Sequence, residues 1–537
     1  IQLVENKGDA SPTGADWVAG IGVLSNGDSH QFENNVIEGN DDLQSINDQY
    51  GIRVGTDVGN FNDVNAVPNT DIHSNTISNV KFGIATNGGT NGASDTLNIT
   101  NNNLSVKGDS GATGIDVVND VGDGNVDLSD NTIQSDDNSV GTGIALSSGN
   151  NAVNADVENV SIDNVTSGIS AGSFSGDFLN ITNVTITNGG SVGIVADNAD
   201  LGVADFDDIE VQGDGTATTG VDASGGGADE LRVQNSVLNA TDTGVDLSSG
   251  INIGTVVVSN TEIDNADSQA VHVVPSGSSN TISINESTSI DQSAGHGIQI
   301  DLSSSSGADT VEVDNVEINS TTNNAVHVAD IDNTDDTVNV TNSVLTSNGA
   351  GVNIAAINIA DPEVYVHFNE IVENTAGASV TGGSLDGTLS FTFNDFVDNE
   401  NNALDTSGGV NNGVVNANYS WWGSDAGPNS AGGDNVTTTN ADDATTEPFL
   451  LQSAVDNYDD SNLGGKNVLR FGHNVQVTDN KGAVSFPTTA NRTAGASIEG
   501  DTTDVMVYKL VDGQFIDAGD QVPQTMEGHV VDLSDST

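Results

Sequence analysis

The sequence contains no cysteine, and its 537 residues hold only ten Lys and Arg, eight Pro and 4% aromatics. Each shortage closes a class. Without thiols there is no disulfide scaffold and no Cys-based metal or redox centre. Without a basic footprint nothing neutralises phosphates, so nucleic acid is excluded as a partner. No apolar run approaches the roughly 18–20 residues that a membrane-spanning helix needs, so no direct span is expected in this segment. No basic stretch followed by an apolar core opens the chain, so no signal peptide is expected either. The chain starts at Ile1 without Met and ends in Ser-Asp-Ser-Thr. It reads as a processed or excerpted piece of a longer protein.

What is abundant is acid. Asp and Glu number 78, which gives a formal net charge of −68, and Gly numbers 63. Hydrophobic residues make up 35%. Such a composition fits a disordered chain. It also fits a fold that needs little apolar area and lives in brine, where the Debye length falls to about 3 Å at 1 M salt. Pattern decides between the two.

A motif recurs: a small residue, an aliphatic, any residue, then an aliphatic or small residue. It runs from Gly51 (GIRV) to Ala403 (ALDT) in 14 copies spaced by a mean near 27 residues. The residue after each anchor is apolar every time, from Ile52 through Ile144, Val221 and Val326 to Leu404. A second motif lies between copies, as in SNTI at Ser74, DNTI at Asp130 and FNDFV at Phe393. Period-two alternation marks strands, and the Gly, Asn, Asp and Ser clusters mark turns. Two or three short strands per 27 residues is the size of one coil of a parallel β-helix. The expected fold class is therefore all-β: a right-handed parallel β-helix of about 14 coils, followed by a small β-sandwich-like domain.

Residues 1–30 lack the repeat and are expected to form an N-terminal cap or first irregular coil. The helix is expected over 31–450. Near its end runs NANYSWWGSDAGPN, from Asn416 to Asn429. With Asn418, Trp421, Trp422, Gly423, Gly427 and Pro428, the sequence here resembles right-handed β-helix proteins of the pectate-lyase-like superfamily. Surface members close their helix with a similar segment, so the resemblance implies a capping role for these residues. The scarcity of Lys beside the excess of Asp resembles proteins of halophilic archaea. Residues 451–537 hold five of the ten basic residues and short alternating runs at Val468–Phe471, Val475–Val477, Val505–Leu510, Gln514–Ile516 and His529–Leu533. They are expected to form a small C-terminal β domain.

No catalytic residue stands out. Many relatives of this fold act on polysaccharides, and glycosidases need paired carboxylates at fixed separation. Here Asp pairs occur throughout, without a distinctive surrounding motif. No Lys or Arg occurs between Arg232 and Lys466 to receive an acidic sugar. One column is set apart as a weak carbohydrate-binding stripe: His272, Gln299, His327 and Asn353, two residues after successive anchors and so on one outer face. His296 belongs to a turn with no expected role. Tyr365, Phe368, Phe391, Phe393 and Phe396 are expected to fill the core. No cofactor is expected beyond weakly held Ca²⁺ or other cations on acidic loops such as Asp332–Asp336 and Asp205–Asp208. Thirteen Asn-x-Ser/Thr sequons are glycosylation candidates on an exported chain: Asn98, Asn103, Asn159, Asn164, Asn180, Asn183, Asn239, Asn285, Asn319, Asn339, Asn418, Asn435 and Asn491.

The functional expectation is an extracellular structural or adhesive cell-surface protein, a rigid spacer and display surface that assembles into a filament or layer. Its partners would be itself, other surface proteins or polysaccharide. The alternatives are a secreted polysaccharide lyase or hydrolase, and a β-helical receptor-binding spike of a virus.

Overall fold

Along the Gly51 motif, Ile52 and Val54 are buried and Arg53 between them is partly exposed. That alternation is the period of two that a half-buried strand imposes. The computed structural model describes residues 17–24, 30–39 and, with gaps in the connections, 48–450. The widest of those gaps falls at 56–68, and beyond 450 the description covers Ser453 and the backbone of six short strands between 468 and 532.

The chain is an all-β parallel β-solenoid of about 12 turns with nearly no helix. The expected count of 14 coils differs slightly from this number. The chain divides into two compact units, Ile1–Gly295 with Ser304–Ser306, and His296–Ser303 with Gly307–Thr537.

In the first unit the motif strands stack in parallel register. Ile21, Ile52, Ile84, Ile115, Ile144, Ile169, Ile194, Val221, Val245 and Val271 pair in succession and are all buried. The strand Trp17–Leu24 begins this sheet, inside the stretch expected to be irregular. In the second unit the same column runs Ile298, Val326, Val352, Ala378, Leu404 and Val436.

The anchor before each aliphatic is small because the wall of the next strand is close. A Cβ on Gly114 would stand 2.5 Å from Ile133 Cγ2 and 2.6 Å from Gly143 O. Ile133 belongs to the second sheet, where Ile77, Leu104, Ile133, Ile162 and Ile186 form another buried column.

The second motif is a corner. Its first residue takes a left-handed backbone, as at Asn34, Ser74, Asn101, Asp130, Asn159, Asn183, Asp208, Asn235, Asn260 and Asn315. Asn and Asp tolerate that region best among residues with a Cβ, which explains the composition of the column. The next residue turns inward. At Asn35, Asn75, Asn102 and Asn131 it builds a ladder. Asn75 N–H and Nδ2 both donate to Asn102 Oδ1, at 3.0 and 2.9 Å. Asn102 does the same to Asn131 Oδ1 at 3.0 and 3.1 Å. In the second unit a ladder at the other corner runs Asn348, Asn374, Asn399 and Asp434, with backbone N–H to side-chain oxygen distances of 2.9, 3.2 and 3.0 Å.

Beyond Leu450 pairing turns antiparallel: Val468–Gly472 with Val530–Asp532, Gln476–Asp479 with Gly482–Ser485, and Tyr508–Val511 with Gln514–Asp517. These follow the expected alternating runs. Sandwich packing of their side chains lies outside the described residues.

Candidate functional site

The outward column of the first sheet carries the polar stripe singled out in the sequence. Gln299 pairs with His327, and His327 with Asn353. These three half-buried residues stand on successive strands of the second unit. His272 lies in the first unit, where it pairs with Asp246 and its Nδ1 is 3.8 Å from Asp246 Oδ1.

His327 is held more tightly than a solvated residue. Its Nδ1 lies 3.1 Å from Asn353 Oδ1 and 3.4 Å from Asn324 Nδ2. The His296 ring stacks on it, with centroids 4.6 Å apart and planes inclined by 14°. His296 Nδ1 accepts the Asn324 backbone N–H at 3.3 Å. His296 therefore packs against this group from the position just before Gly297. Burial holds His327 below the usual histidine range, opposed by the bond to Asn353 and by Asp301 and Asp330. The imidazole is thus neutral near pH 7. The group offers amide and imidazole donors and acceptors to a polar ligand.

Two carboxylate sites are perturbed in the first unit. Burial pushes Asp116 up to about 6, and Arg53 pulls the other way. Arg53 reaches it across the small Ala85, which separates the two in the column. Asp264 is also raised to about 6, by burial first, then by its hydrogen bond with Glu262 and the charges of Glu262 and Asp291. Asp264 and Asp291 are paired on adjacent strands.

Of the acidic loops expected to hold cations, Asp205, Asp207 and Asp336 have internal partners, and Asp332 lies outside the described residues. Asp205 accepts Gln234 Nε2 at 3.1 Å and faces Arg232 at 4.0 Å, and Asp207 accepts Asn235 Nδ2 at 2.6 Å. Asp336 is buried and accepts the Asp309 and Asn333 backbone N–H groups at 3.0 and 3.1 Å. Among the described residues no group of three or more His, Cys, Asp or Glu side chains is placed to hold a metal ion.

The Trp-Trp-Gly segment lies in a late coil of the second unit. Trp421 bridges in parallel to Asp395, and the fully buried Trp422 stacks on Phe396 at 5.0 Å. Gly423 and Gly427 have φ of 70° and 79°, and a Cβ on Gly427 would stand 2.7 Å from the Phe449 ring. Pro428 follows it, and the loop returns when Asp434 N–H reaches Trp422 O at 2.9 Å.

The other aromatics divide. Phe391 and Phe396 are core residues, as expected. Phe368 and Phe393 are not. They occupy the left-handed corner column with Tyr419, at φ of 60°, 61° and 62°, and their half-exposed rings stack at 5.5 and 5.2 Å. Tyr365 is 37% exposed.

The sequons also divide. Asn159, Asn164 and Asn183 are left-handed corner residues. A corner Asn, an inward aliphatic and a strand-forming Ser or Thr reproduce the sequon for backbone reasons alone. Asn103, Asn159, Asn183 and Asn435 are exposed. Asn98, Asn164, Asn180, Asn239, Asn285, Asn319, Asn339 and Asn418 are half-buried, and Asn491 lies outside the described residues.

Among the described residues no helix is long and apolar enough to cross a membrane. No protein-family model, no curated protein and no solved structure matches this chain.

Proposed function

We propose that this chain is an extracellular structural and adhesive element, a stiff spacer and display surface on a cell in a high-salt habitat. The observation that carries the reading is the pair of asparagine ladders. Within each unit a coil is joined to the next by sheet hydrogen bonds, by an apolar column and by side chains that bond coil to coil inside the corner. Stacks built from nearest-neighbour contacts propagate rigidity along one direction. A spacer needs that property, and an enzyme does not require it throughout its length. The net charge of −68 supports the habitat, since molar salt removes the long-range self-repulsion. The partners on this reading are further copies or other surface proteins, and polysaccharide is a ligand class for the Gln299–His327–Asn353 stripe.

Antibody against the purified chain should stain intact cells. Recovery only from the cytoplasmic fraction would end the reading. A reproducible reducing-sugar or unsaturated-product signal on a polysaccharide panel would replace it with the enzyme.

A further inference from the structure

Four Lys and Arg side chains fall among the described residues: Arg53, Lys81, Lys107 and Arg232. Three of them meet at one place in the first unit. Tyr50 and Phe82 pair on adjacent strands and stack at 4.8 Å with planes 16° apart. The Arg53 guanidinium carbon lies 4.6 Å from the Tyr50 ring centroid, and Lys81 Nζ lies 5.5 Å from that of Phe82. Lys107 Nζ donates to Gln49 Oε1 at 3.4 Å, beside Tyr50. Rings and amide hold the three cationic groups together on a chain that carries 78 acids.

A complementary cluster lies farther along the same unit. Glu262 is exposed, and Asp264 and Asp291 are half-buried on adjacent strands. Asp291 Oδ2 accepts Gln292 Nε2 at 3.1 Å and Asp264 is hydrogen-bonded to Glu262, while like charges opposite one another remain unfavourable. The exposed Val237 pairs with Glu262 one strand away and adds apolar surface. From Ser105, near Lys107, the column runs through Gln134, Asp163, Thr187, Gln212 and Asn239 to Asp264. Those six pairings separate the two clusters by about 29 Å at a strand spacing of about 4.8 Å.

We infer that the Arg53–Lys81–Lys107 cluster is a docking surface for a second copy of this chain, which it receives at Glu262, Asp264 and Asp291. This rests on the reading of the chain as a self-assembling surface element. The two patches differ and lie apart on one unit, so the contact is heterologous. Each copy gives one patch and takes the other, which builds an open chain or a ring. Copies carrying −68 repel at low salt, so association belongs to molar salt, where repulsion beyond a few ångströms is screened and contact pairs persist.

Sedimentation equilibrium of the full purified chain in molar KCl tests this, independently of where the protein sits on a cell. Concentration-dependent self-association is expected. The triple variant Arg53→Glu, Lys81→Glu, Lys107→Glu should weaken it by on the order of tenfold or more. A milder pair, Lys81→Gln with Lys107→Gln, gives the same direction if the triple variant does not fold. Mixing the triple variant with Glu262→Lys, Asp264→Lys chains should restore association. Wild-type chains that stay monomeric, or charge variants that associate like wild type, overturn the inference. So does a cluster that retains a soluble acidic polysaccharide while the chains stay monomeric.

Discussion

The Asn369 side-chain amide donates to Asn394 Oδ1 at 3.0 Å, and the same oxygen receives the Asn369 backbone N–H at 3.1 Å. Asn369 Nδ2 also reaches Val340 O at 2.8 Å, and its Oδ1 takes the Ser343 N–H at 3.0 Å. One fully buried side chain thus serves two backbone groups of the preceding coil and bonds the Asn394 side chain of the following one. Only a side chain with donor and acceptor on one short fork can do this.

Replacing Asn369 by Leu should therefore cost more than a cavity or an overpacked methyl. The Ser343 N–H and the Val340 carbonyl lose their side-chain partner inside the corner. At roughly 1–3 kcal/mol for each of the two orphaned groups, a loss of about 2–6 kcal/mol is expected. Asn369→Asp should be no better, since it removes the donor and buries a charge. Denaturant melts in molar salt measure both, and an Asn369→Leu midpoint equal to wild type refutes the ladder's role.

The corner before that ladder makes a second expectation. Phe393 has φ of 61° and stacks on Phe368 and Tyr419. A bulky residue there is strained by about 1–2 kcal/mol, and two ring contacts of about 0.5–1.5 kcal/mol each offset it. Phe393→Asn relieves the strain and loses the stacking, so it should shift stability little. Phe393→Val keeps the strain, adds a β-branch and loses the stacking, so it should destabilise clearly. Equal melts for the two variants would show that backbone strain is absent.

The architecture was legible because two periods coincide: alternation of two within a strand and about 27 between strands. Ile52, Ile115 and Leu404 needed no further information. The first strand was missed although Gly20-Ile21-Gly22-Val23 carries the motif. The ladders were hidden for a chemical reason. In Asn101-Asn102 the first residue is an exposed corner and the second is buried, and both look like turn residues in sequence. The outer aromatic stack was misread because hydrophobicity predicts burial and says nothing of φ. The stacking of His296 on His327 depends on coil-to-coil proximity, which residue type does not encode.

pH separates two half-buried groups of opposite sign. His367 is held near 4 by burial, below its unfolded value, and lies 2.9 Å from Ser390 Oγ. Between about 6.5 and 4 the unfolded chain binds the extra proton, so this group's stability is lost as pH falls through that window. Asp116 is raised to about 6. Between its unfolded value and about 6 the folded chain binds the extra proton, so its ionisation destabilises the fold as pH rises through that window. His367→Gln should flatten the loss on acidification from 7 to 5, and Asp116→Asn should raise stability at pH 7 more than at pH 5. Melts of each variant against wild type, at fixed molar salt, read the differences; parallel pH profiles would show that neither group is buried as described.

Charge sets the condition under which the fold exists. Adjacent strands place like acids in register: Asp127 with Asp156, Asp222 with Asp246, Asp264 with Asp291, about 4.8 Å apart. Lys and Arg number ten against 78 acids, so counter-ions from solvent must do the screening. At 1 M salt the Debye length is about 3 Å, shorter than the strand spacing, and each carboxylate is insulated from the next. At 0.01 M it is about 30 Å, longer than several coils, and the repulsions add along every column. The apolar column is thin, and 35% hydrophobic composition leaves little reserve against that sum. Dialysis from molar to millimolar KCl should therefore abolish the β-sheet signal in circular dichroism, with recovery when salt is returned. An unchanged spectrum at a few millimolar salt would mean that the coil-to-coil bonds outweigh the charge.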